Sequence, residues 1–310
     1  MRIAVIGIGA MGSVYAGLLA AAGLDVWGVD SWTDHVETIR RDGLHVSGAS
    51  GERLVRLSAT SDIQDVGTAD LVIIATKANG AVAAAHAART ILAQDGVVLT
   101  IQNGLGSADR VAEVIGPERV MVGVVGGFGA SNPAPGRVHH NGWEFVRLGE
   151  YVGGRGSERL DRIGAVWEKG GFKVLRFPDI HKMVWEKFIC NVAFSAPCAV
   201  TGMTIGEVLS DRHASAVSFA CAREAYDVAM ARGITLDFDD PQKYVREFGQ
   251  KIPHARPSLL LDHMARRRSE IDVINGAVPS EAAKVGLQAP ANATVSSIVR
   301  AMESRFPIER

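Results

Sequence analysis

"RIAVIGIGAMGSVYAGLLAAAGLDVWGVD", residues 2–30, is the stretch whose reading decides the fold. Ile3 to Ile6 form an apolar, largely β-branched run, as expected of a strand buried on both faces. "GIGAMG" at 7–12 follows in the pattern G-x-G-x-x-G, and "AMGSVYAGLLAAAG" after it reads as a helix closing at Gly23. "DVWGVD" is a second strand ending in an acid, Asp30. Strand, glycine turn, helix, strand and acid in that order mark a dinucleotide cradle. Gly7 permits a tight turn, Gly9 lets a pyrophosphate approach the backbone, and Gly12 lets the helix pack close on the sheet. The helix start, at Ala10, Met11 and Gly12, offers unpaired N–H groups and a partial positive charge to the phosphates.

Residues 3–24 contain no charge, so length alone would also allow a membrane span. Five glycines interrupt the stretch, at 7, 9, 12, 17 and 23, and its texture changes after Ile6 from β-branched residues to small helix formers. A buried strand followed by a packed helix explains both features. Asp30 at the strand end can accept from a ribose 2′-hydroxyl and would repel a 2′-phosphate, which favours NAD(H) and leaves NADP(H) as the alternative. The next residues are Ser31 and Trp32, and Arg40 and Arg41 are expected to face solvent.

The alternation continues. "HVETIRRDG" reads as a helix, "ADLVIIAT" (69–76) as a buried strand with Lys77 at its end, and "AVAAAHAARTILAQDG" as a helix. "VVLTIQ" (97–102) is a strand followed by the loop "NGLG" (103–106), and "RVMVGVV" (119–125) is another strand. Repetition of this kind implies an α/β fold with a doubly wound parallel sheet, which binds ligands at the carboxyl ends of its strands. Lys77 and Asn103 both sit at such ends, although Asn103 before Gly104 also suits an ordinary turn. Residues 126–142 read as a long Gly/Pro loop leading to the strand "WEFVRLGE". His139 and His140 would point apart on an extended backbone, and with no third ligand in reach no metal site is expected.

The 310 residues carry a formal net charge of −1, with acids and bases interspersed. That balance argues against a nucleic-acid partner and against attraction to a membrane surface. Arg266, Arg267 and Arg268 form the one basic run and read as a solvated helix face. Three cysteines, Cys190, Cys198 and Cys221, make no CxxC pair, which fits a reducing, cytoplasmic setting and buried inert thiols.

"FKVLRF" (172–177) is the last strand, and Pro178 ends it. The expected domains are 1–178, the dinucleotide-binding part, and 179–310, all helical. Helices are expected over 180–199, 211–232, 240–251, 257–268, 269–286 and 291–304, with a kink at Pro279. In "HKMVWEKFICNVAFSAP" (181–197), Lys187, Asn191 and Ser195 recur every fourth residue and form one polar stripe on an apolar helix. The stripe either meets water or lines a pocket. In "SEIDVINGAV" (269–278), Glu270 sits near a helix start that Ser269 could cap, and Asn275 and Gly276 would permit close helix packing.

"GIGAMG", "QNGLG" at 102–106, "WEKFICN" at 185–191 and "EIDVING" at 270–276 together resemble the ketopantoate reductase family over nearly the whole chain. The resemblance implies a Rossmann domain, then an all-α domain, with the active site in the cleft between. It implies Lys187 as catalytic acid and Glu270 as the group that contacts substrate and places the lysine. Asn191 would contact substrate, Asn103 would sit by the nicotinamide and substrate, and Ser258 would hold the substrate carboxylate. The cofactor-binding set is Gly7, Gly9, Ala10, Met11, Gly12, Asp30, Lys77 and Asn103.

The sequence departs from the family pattern in two places. The family usually has a second asparagine where Ser195 stands, with "PLTA" where this chain has "APCA". "VDSWTDHV" lacks the basic residue of the NADP users and is similar to the NAD-dependent D-2-hydroxyacid (D-mandelate type) dehydrogenases. The expected function is therefore hydride transfer between a nicotinamide cofactor and a small 2-oxo or 2-hydroxy acid, ketopantoate reductase-like. The alternatives are an NAD-dependent dehydrogenase of a bulkier or aromatic D-2-hydroxyacid and, in another class, a non-catalytic dinucleotide sensor. A homodimer is an expectation that no motif supports.

Overall fold

The structure, a computed structural model, describes residues 1–127, 129–142, 145–153 and 157–307. It divides into two compact units, Met1–Gln102 with Ser107–Ile180 and Asn103–Gly106 with His181–Arg310. The division thus falls after Ile180, and the loop 103–106 groups with the helices.

In chain order the first unit contains β1 (Arg2–Ile6), α1 (Ala10–Ala21), β2 (Asp25–Val29), α2 (Thr33–Asp42), β3 (Leu44–Gly48), β4 (Arg53–Val55), β5 (Ser58–Thr60), β6 (Ala69–Ile74), α3 (Ala81–Ile91), β7 (Leu92–Thr100), α4 (Ser107–Ile115), β8 (Val120–Val125), β9 (Gly129–Ala134), β10 (Arg137–Gly142), β11 (Phe145–Glu150), α5 (Glu158–Lys169) and β12 (Lys173–Phe177). The main sheet has eight strands in the order β12-β11-β8-β7-β6-β1-β2-β5. Ile3 to Ile6 are buried on both faces, because β1 lies between β2 and β6 and pairs parallel with each. The chain leaves β1 toward β2 and later fills the other side through β6, β7 and β8. The order therefore reverses beside β1, at the carboxyl ends of β1 and β6.

Two details depart from the expectation. The sheet is not wholly parallel, since β11 runs antiparallel to β8. The expected loop 126–142 contains β9 and β10, which join β3 and β4 in a second sheet of order β4-β3-β10-β9. Pro133 is tolerated because β9 is an edge strand. Of the expected strand 143–150, Trp143 and Glu144 lie outside the described residues.

The second sheet also explains why residues 3–24 carry no charge. Helix α1 packs against β1 and β2 and against β3, β9 and β10, so it has almost no solvent face. A Cβ on Gly17 would lie 2.9 Å from Val46, so glycine here lets α1 settle on β3. Tyr15 fits edge-on against Trp167 and Phe172, which pins α5 and β12 to the same helix. With 12 residues, α1 is far too short to cross a bilayer. Among the described residues no helix is long and apolar enough to cross a membrane.

The second unit contains α6 (His181–Thr201), α7 (Ile205–Ser210), α8 (Arg212–Ala231), α9 (Pro241–Lys251), α10 (Ser258–Met264), α11 (Ala277–Lys284) and α12 (Pro290–Glu303). Helix α6 is the axis, packed by α7, α8, α9, α10 and α12. Its residues 188–199 are buried, except for half-buried Asn191.

Several helix expectations are also corrected. The expected helix 257–268 stops at Met264. Arg266 takes a positive φ of 53°, and Arg267 turns back to Asp262, so the arginine run is exposed as expected but follows the helix end and is not a helix face. The expected helix 269–286 is two pieces, a 3-10 turn Ile271–Val273 and α11, separated at Ile274. Pro279 is the third residue of α11. At that position a helix needs no N–H donor, so no kink results. Helix α7 was not expected. A full capping box, Thr204 with Glu207, starts it.

Candidate active site

In the first unit the glycine-rich turn joins β1 to α1. Gly7 has φ +90°, and a Cβ there would lie 2.6 Å from the Thr76 nitrogen. A Cβ on Gly12 would lie 1.9 Å from the Gly7 carbonyl oxygen. The fold itself demands both glycines. Gly9 is different: its φ is −62°, which any residue adopts, and a Cβ there would meet nothing within 4 Å. It caps α1 without a side-chain hydrogen bond, and among the described residues the N–H groups at Ala10, Met11 and Gly12 have no side-chain acceptor. Thr76, just beyond β6, has a buried hydroxyl with no hydrogen-bond partner among the described residues. Gln102 braces this edge by donating to the carbonyls of Ile74 (2.7 Å) and Thr76 (3.1 Å).

Asp30 ends β2, and its carboxylate accepts from the Trp32 N–H at 3.0 Å. Arg40 and Arg41 are exposed, and Arg41 pairs with Asp42. Lys77 is exposed at the start of a 3-10 turn, Ala78–Gly80. His139 and His140 point to opposite faces of β10, outward and inward respectively. Among the described residues no cluster of three or more His, Cys, Asp or Glu side chains could hold a metal.

In the second unit α6 presents Lys187 and, one and two turns on, Asn191 and Ser195. Lys187 and Asn191 are half-buried, and Ser195 is buried. The Lys187 ammonium donates to Asn103 Oδ1 at 2.6 Å. The loop that carries Asn103 also touches the turn headed by Glu270, since the Leu105 N–H donates to the Val273 carbonyl at 2.9 Å. Gly104 has φ +81°, and a Cβ there would lie 2.1 Å from that same carbonyl. Residues 103–106 therefore tie the lysine of α6 to the Glu270 segment. Glu270 itself is half-buried. Ser269 does not cap a helix as expected; its N–H and hydroxyl both donate to Glu303.

Asn275 is wholly buried and locks the same segment onto α6. Its amide donates to the Val192 carbonyl (2.8 Å) and to Asn292 Oδ1 (2.9 Å), and its oxygen accepts from the Ala196 N–H (3.3 Å). Ser258 is the exposed first residue of α10, and among the described residues no hydrogen bond joins it to the others. Cys190, Cys198 and Cys221 are free and buried, and burial pushes each thiol up to about 12.

Sequence reasoning missed Thr76 and Gln102. Gln102 carried a signal, since it opens the "QNGLG" motif. Thr76 carried none, because its unpartnered hydroxyl is a feature of the folded chain.

A glycine-rich turn at the switch point of a doubly wound sheet defines the class, a nucleotide-binding α/β protein with a helical second unit. The family description "Ketopantoate reductase PanE/ApbA" matches residues 3–153, and "Ketopantoate reductase PanE/ApbA C terminal" matches residues 179–303. A 2-dehydropantoate 2-reductase of Halobacterium salinarum is 30% identical over 97% of this chain and 98% of its own. One from Pyrococcus horikoshii is 29% identical over 98% of each chain. Among solved structures, a PanE/ApbA family ketopantoate reductase from Ralstonia eutropha superposes with a TM-score of 0.89 at 30% identity, covering 98% of this chain and 99% of its own. D-mandelate dehydrogenase in a ternary structure with NADH and anilino(oxo)acetate superposes with a TM-score of 0.90 at 25% identity, covering 100% of each chain. The chain belongs to the ketopantoate reductase family and is an oxidoreductase of that type.

Proposed function

We propose that this enzyme reduces a small 2-oxo acid to the 2-hydroxy acid with a nicotinamide dinucleotide, NADH ahead of NADPH. The observation that carries this reading is the 2.6 Å hydrogen bond from Lys187 to Asn103, which holds a half-buried ammonium at a defined point. The first unit fits the dinucleotide on three counts. Gly9 is a glycine that no neighbour in the fold requires, the first N–H groups of α1 have no side-chain acceptor, and the buried Thr76 hydroxyl has a donor to offer. Gly7, Gly9, Ala10, Met11, Gly12 and Asp30 would hold the phosphates and ribose, and the family resemblance adds Lys77 and Asn103 to the cofactor set. When bound, the nicotinamide supplies a hydride to C2 of the acid.

Lys187 polarises the carbonyl oxygen and gives it a proton as negative charge develops there. Asn103 holds the ammonium through one of its three donors, and Glu270, on the adjoining turn, contacts substrate and helps to place the lysine. Ser258 holds the substrate carboxylate, which fixes the face of C2 that reacts. Asn191 and Ser195 contact the rest of the acid.

A second reading keeps the chemistry and enlarges the substrate. Ser195 is shorter than an asparagine, which leaves room for a bulkier or aromatic D-2-hydroxy acid, and the close superposition on D-mandelate dehydrogenase supports it. The purified protein should be assayed with ketopantoate and a panel of 2-oxo acids, using each cofactor and following nicotinamide absorbance. Turnover of ketopantoate with NADH supports the first reading, and preference for phenylglyoxylate supports the second. No turnover of any 2-oxo acid sinks both.

A further inference from the structure

His35, on α2, has no surface exposed to solvent. Its Nδ1 accepts the Gly136 N–H at 2.9 Å. Its Nε2 lies 3.1 Å from Ser13 Oγ, and the Ser13 hydroxyl donates to the Ile8 carbonyl at 2.7 Å. A hydroxyl has one proton, so Oγ must accept from the ring. These bonds select one species, the neutral imidazole with its proton on Nε2. The Trp32 indole stacks on the ring face, with centroids 4.6 Å apart and planes 10° apart. The Trp32 backbone N–H in turn donates to the Asp30 carboxylate. One imidazole thus braces the glycine-rich turn, the corner after β2 and the β9–β10 turn.

We propose that His35 is a positioning residue for the dinucleotide: as the neutral Nε2–H tautomer it holds the Ile8–Ser13 turn and the Asp30–Trp32 corner in the form that accepts the cofactor, and its protonation loosens both. The proposal rests on the nicotinamide reading above. An imidazolium carries a proton on each nitrogen, so Nδ1–H would point at the Gly136 N–H, donor against donor, in a buried place. Gly136 has little room to withdraw. Its φ is +69°, a Cβ there would lie 2.4 Å from Thr38 Cγ2, and its carbonyl accepts from the His45 N–H at 2.9 Å.

Burial lowers the His35 pKa, and this outweighs the Asp30 carboxylate and the Ile8 carbonyl, which raise it. The remaining charged groups nearby in sequence, Asp34 and Glu37 on α2 and Arg137 beside Gly136, are exposed. From α1 the ring meets the Ser13 hydroxyl, which does not titrate in this range. A lowered histidine pKa means that the bracing is complete above the ordinary value of 6.5 and is lost as pH falls from there through the folded value.

The test is the dissociation constant for NADH, or NADPH if it binds tighter, from pH 5 to pH 8 with circular dichroism confirming the fold at each point. Wild-type affinity should weaken several-fold on the acid side. His35→Asn keeps an acceptor for Gly136, loses the donor to Ser13 and does not titrate. It should bind cofactor roughly tenfold more weakly at neutral pH, show no acid limb, and retain kcat at saturating cofactor while the cofactor KM rises. His35→Gln, which keeps a donor for Ser13, provides a second non-titrating variant should His35→Asn not fold. A wild-type profile flat across the range, or a variant with the wild-type acid limb, overturns the proposal. Failure of the wild type to bind either cofactor at any pH would instead sink the functional reading on which it rests.

Discussion

Asn275→Ala tests how the helix that carries Lys187 is held. In a regular helix the Ala196 N–H would donate to the Val192 carbonyl, and Pro197 next to it has no N–H to give. The Asn275 amide bonds to both members of that pair and to Asn292, all within a fully buried site. It fastens α6 at the turn just before its internal proline. Alanine removes three hydrogen bonds. Val192 and Ala196 lie within the regular ladder of α6, so the main loss falls on Asn292 Oδ1, left buried and unsatisfied beside a small cavity. An orphaned buried acceptor and a cavity of that size together cost about 2–4 kcal/mol. For a unit of this size the midpoint of thermal unfolding should fall by roughly 4–15 °C. Asn275→Asp is the control for packing. It keeps the shape but points a carboxylate at the Val192 and Asn292 oxygens, so at neutral pH it should cost more than alanine. Urea and thermal unfolding followed by far-ultraviolet circular dichroism measure both variants. A loss under about 1 kcal/mol for alanine, or an aspartate variant no worse than alanine, would refute the reasoning.

Two glycine substitutions in the same turn should separate fold from ligand. Gly12→Ala drives a Cβ into the Gly7 carbonyl and should cost several kcal/mol of stability, whereas Gly9→Ala meets no protein atom and should stay within about 0.5 kcal/mol of wild type while weakening cofactor binding; equal losses of stability would contradict this. Asp30→Ala should narrow the gap between NADH and NADPH in kcat/KM, and a wild type that already prefers NADPH would show the role given to Asp30 to be wrong. The three cysteines, buried and with thiols raised to about 12, should resist a thiol reagent at pH 8 in the native protein and react fully in denaturant. Rapid native labelling would contradict that.

The first thirty residues were legible because each local preference in them agrees with the global fold. Ile3–Ile6 favour a strand, Gly7 the turn, and the small residues after Gly9 a helix packed between two sheets. The hairpin β9–β10 was not legible, because Gly, Asn and Pro crowd the edge strand β9, and the pairing of its partner β10 with β3 comes from far along the chain. In residues 269–286 the apolar spacing of Ile271, Ile274 and Val278 continues as if through one helix. The break at Ile274 (φ −106°, ψ −107°) comes with Asn275 turning in to bond α6, a tertiary contact that overrides local preference. The stripe of Lys187, Asn191 and Ser195 was visible from spacing alone, but its bond to Asn103, eighty-four residues earlier, was not. His35 reads as one more residue of the helix "HVETIRRDG", since nothing local marks a ring that braces Ser13 and Gly136.

The most direct measurement is the steady-state and single-turnover reduction of the best 2-oxo acid by Lys187→Ala, alongside direct titration of the cofactor. If the ammonium held by Asn103 protonates the reacting oxygen, the chemical step should fall by about 10²–10⁴-fold, with the cofactor dissociation constant almost unchanged. Turnover close to wild type with tight cofactor binding would contradict the account.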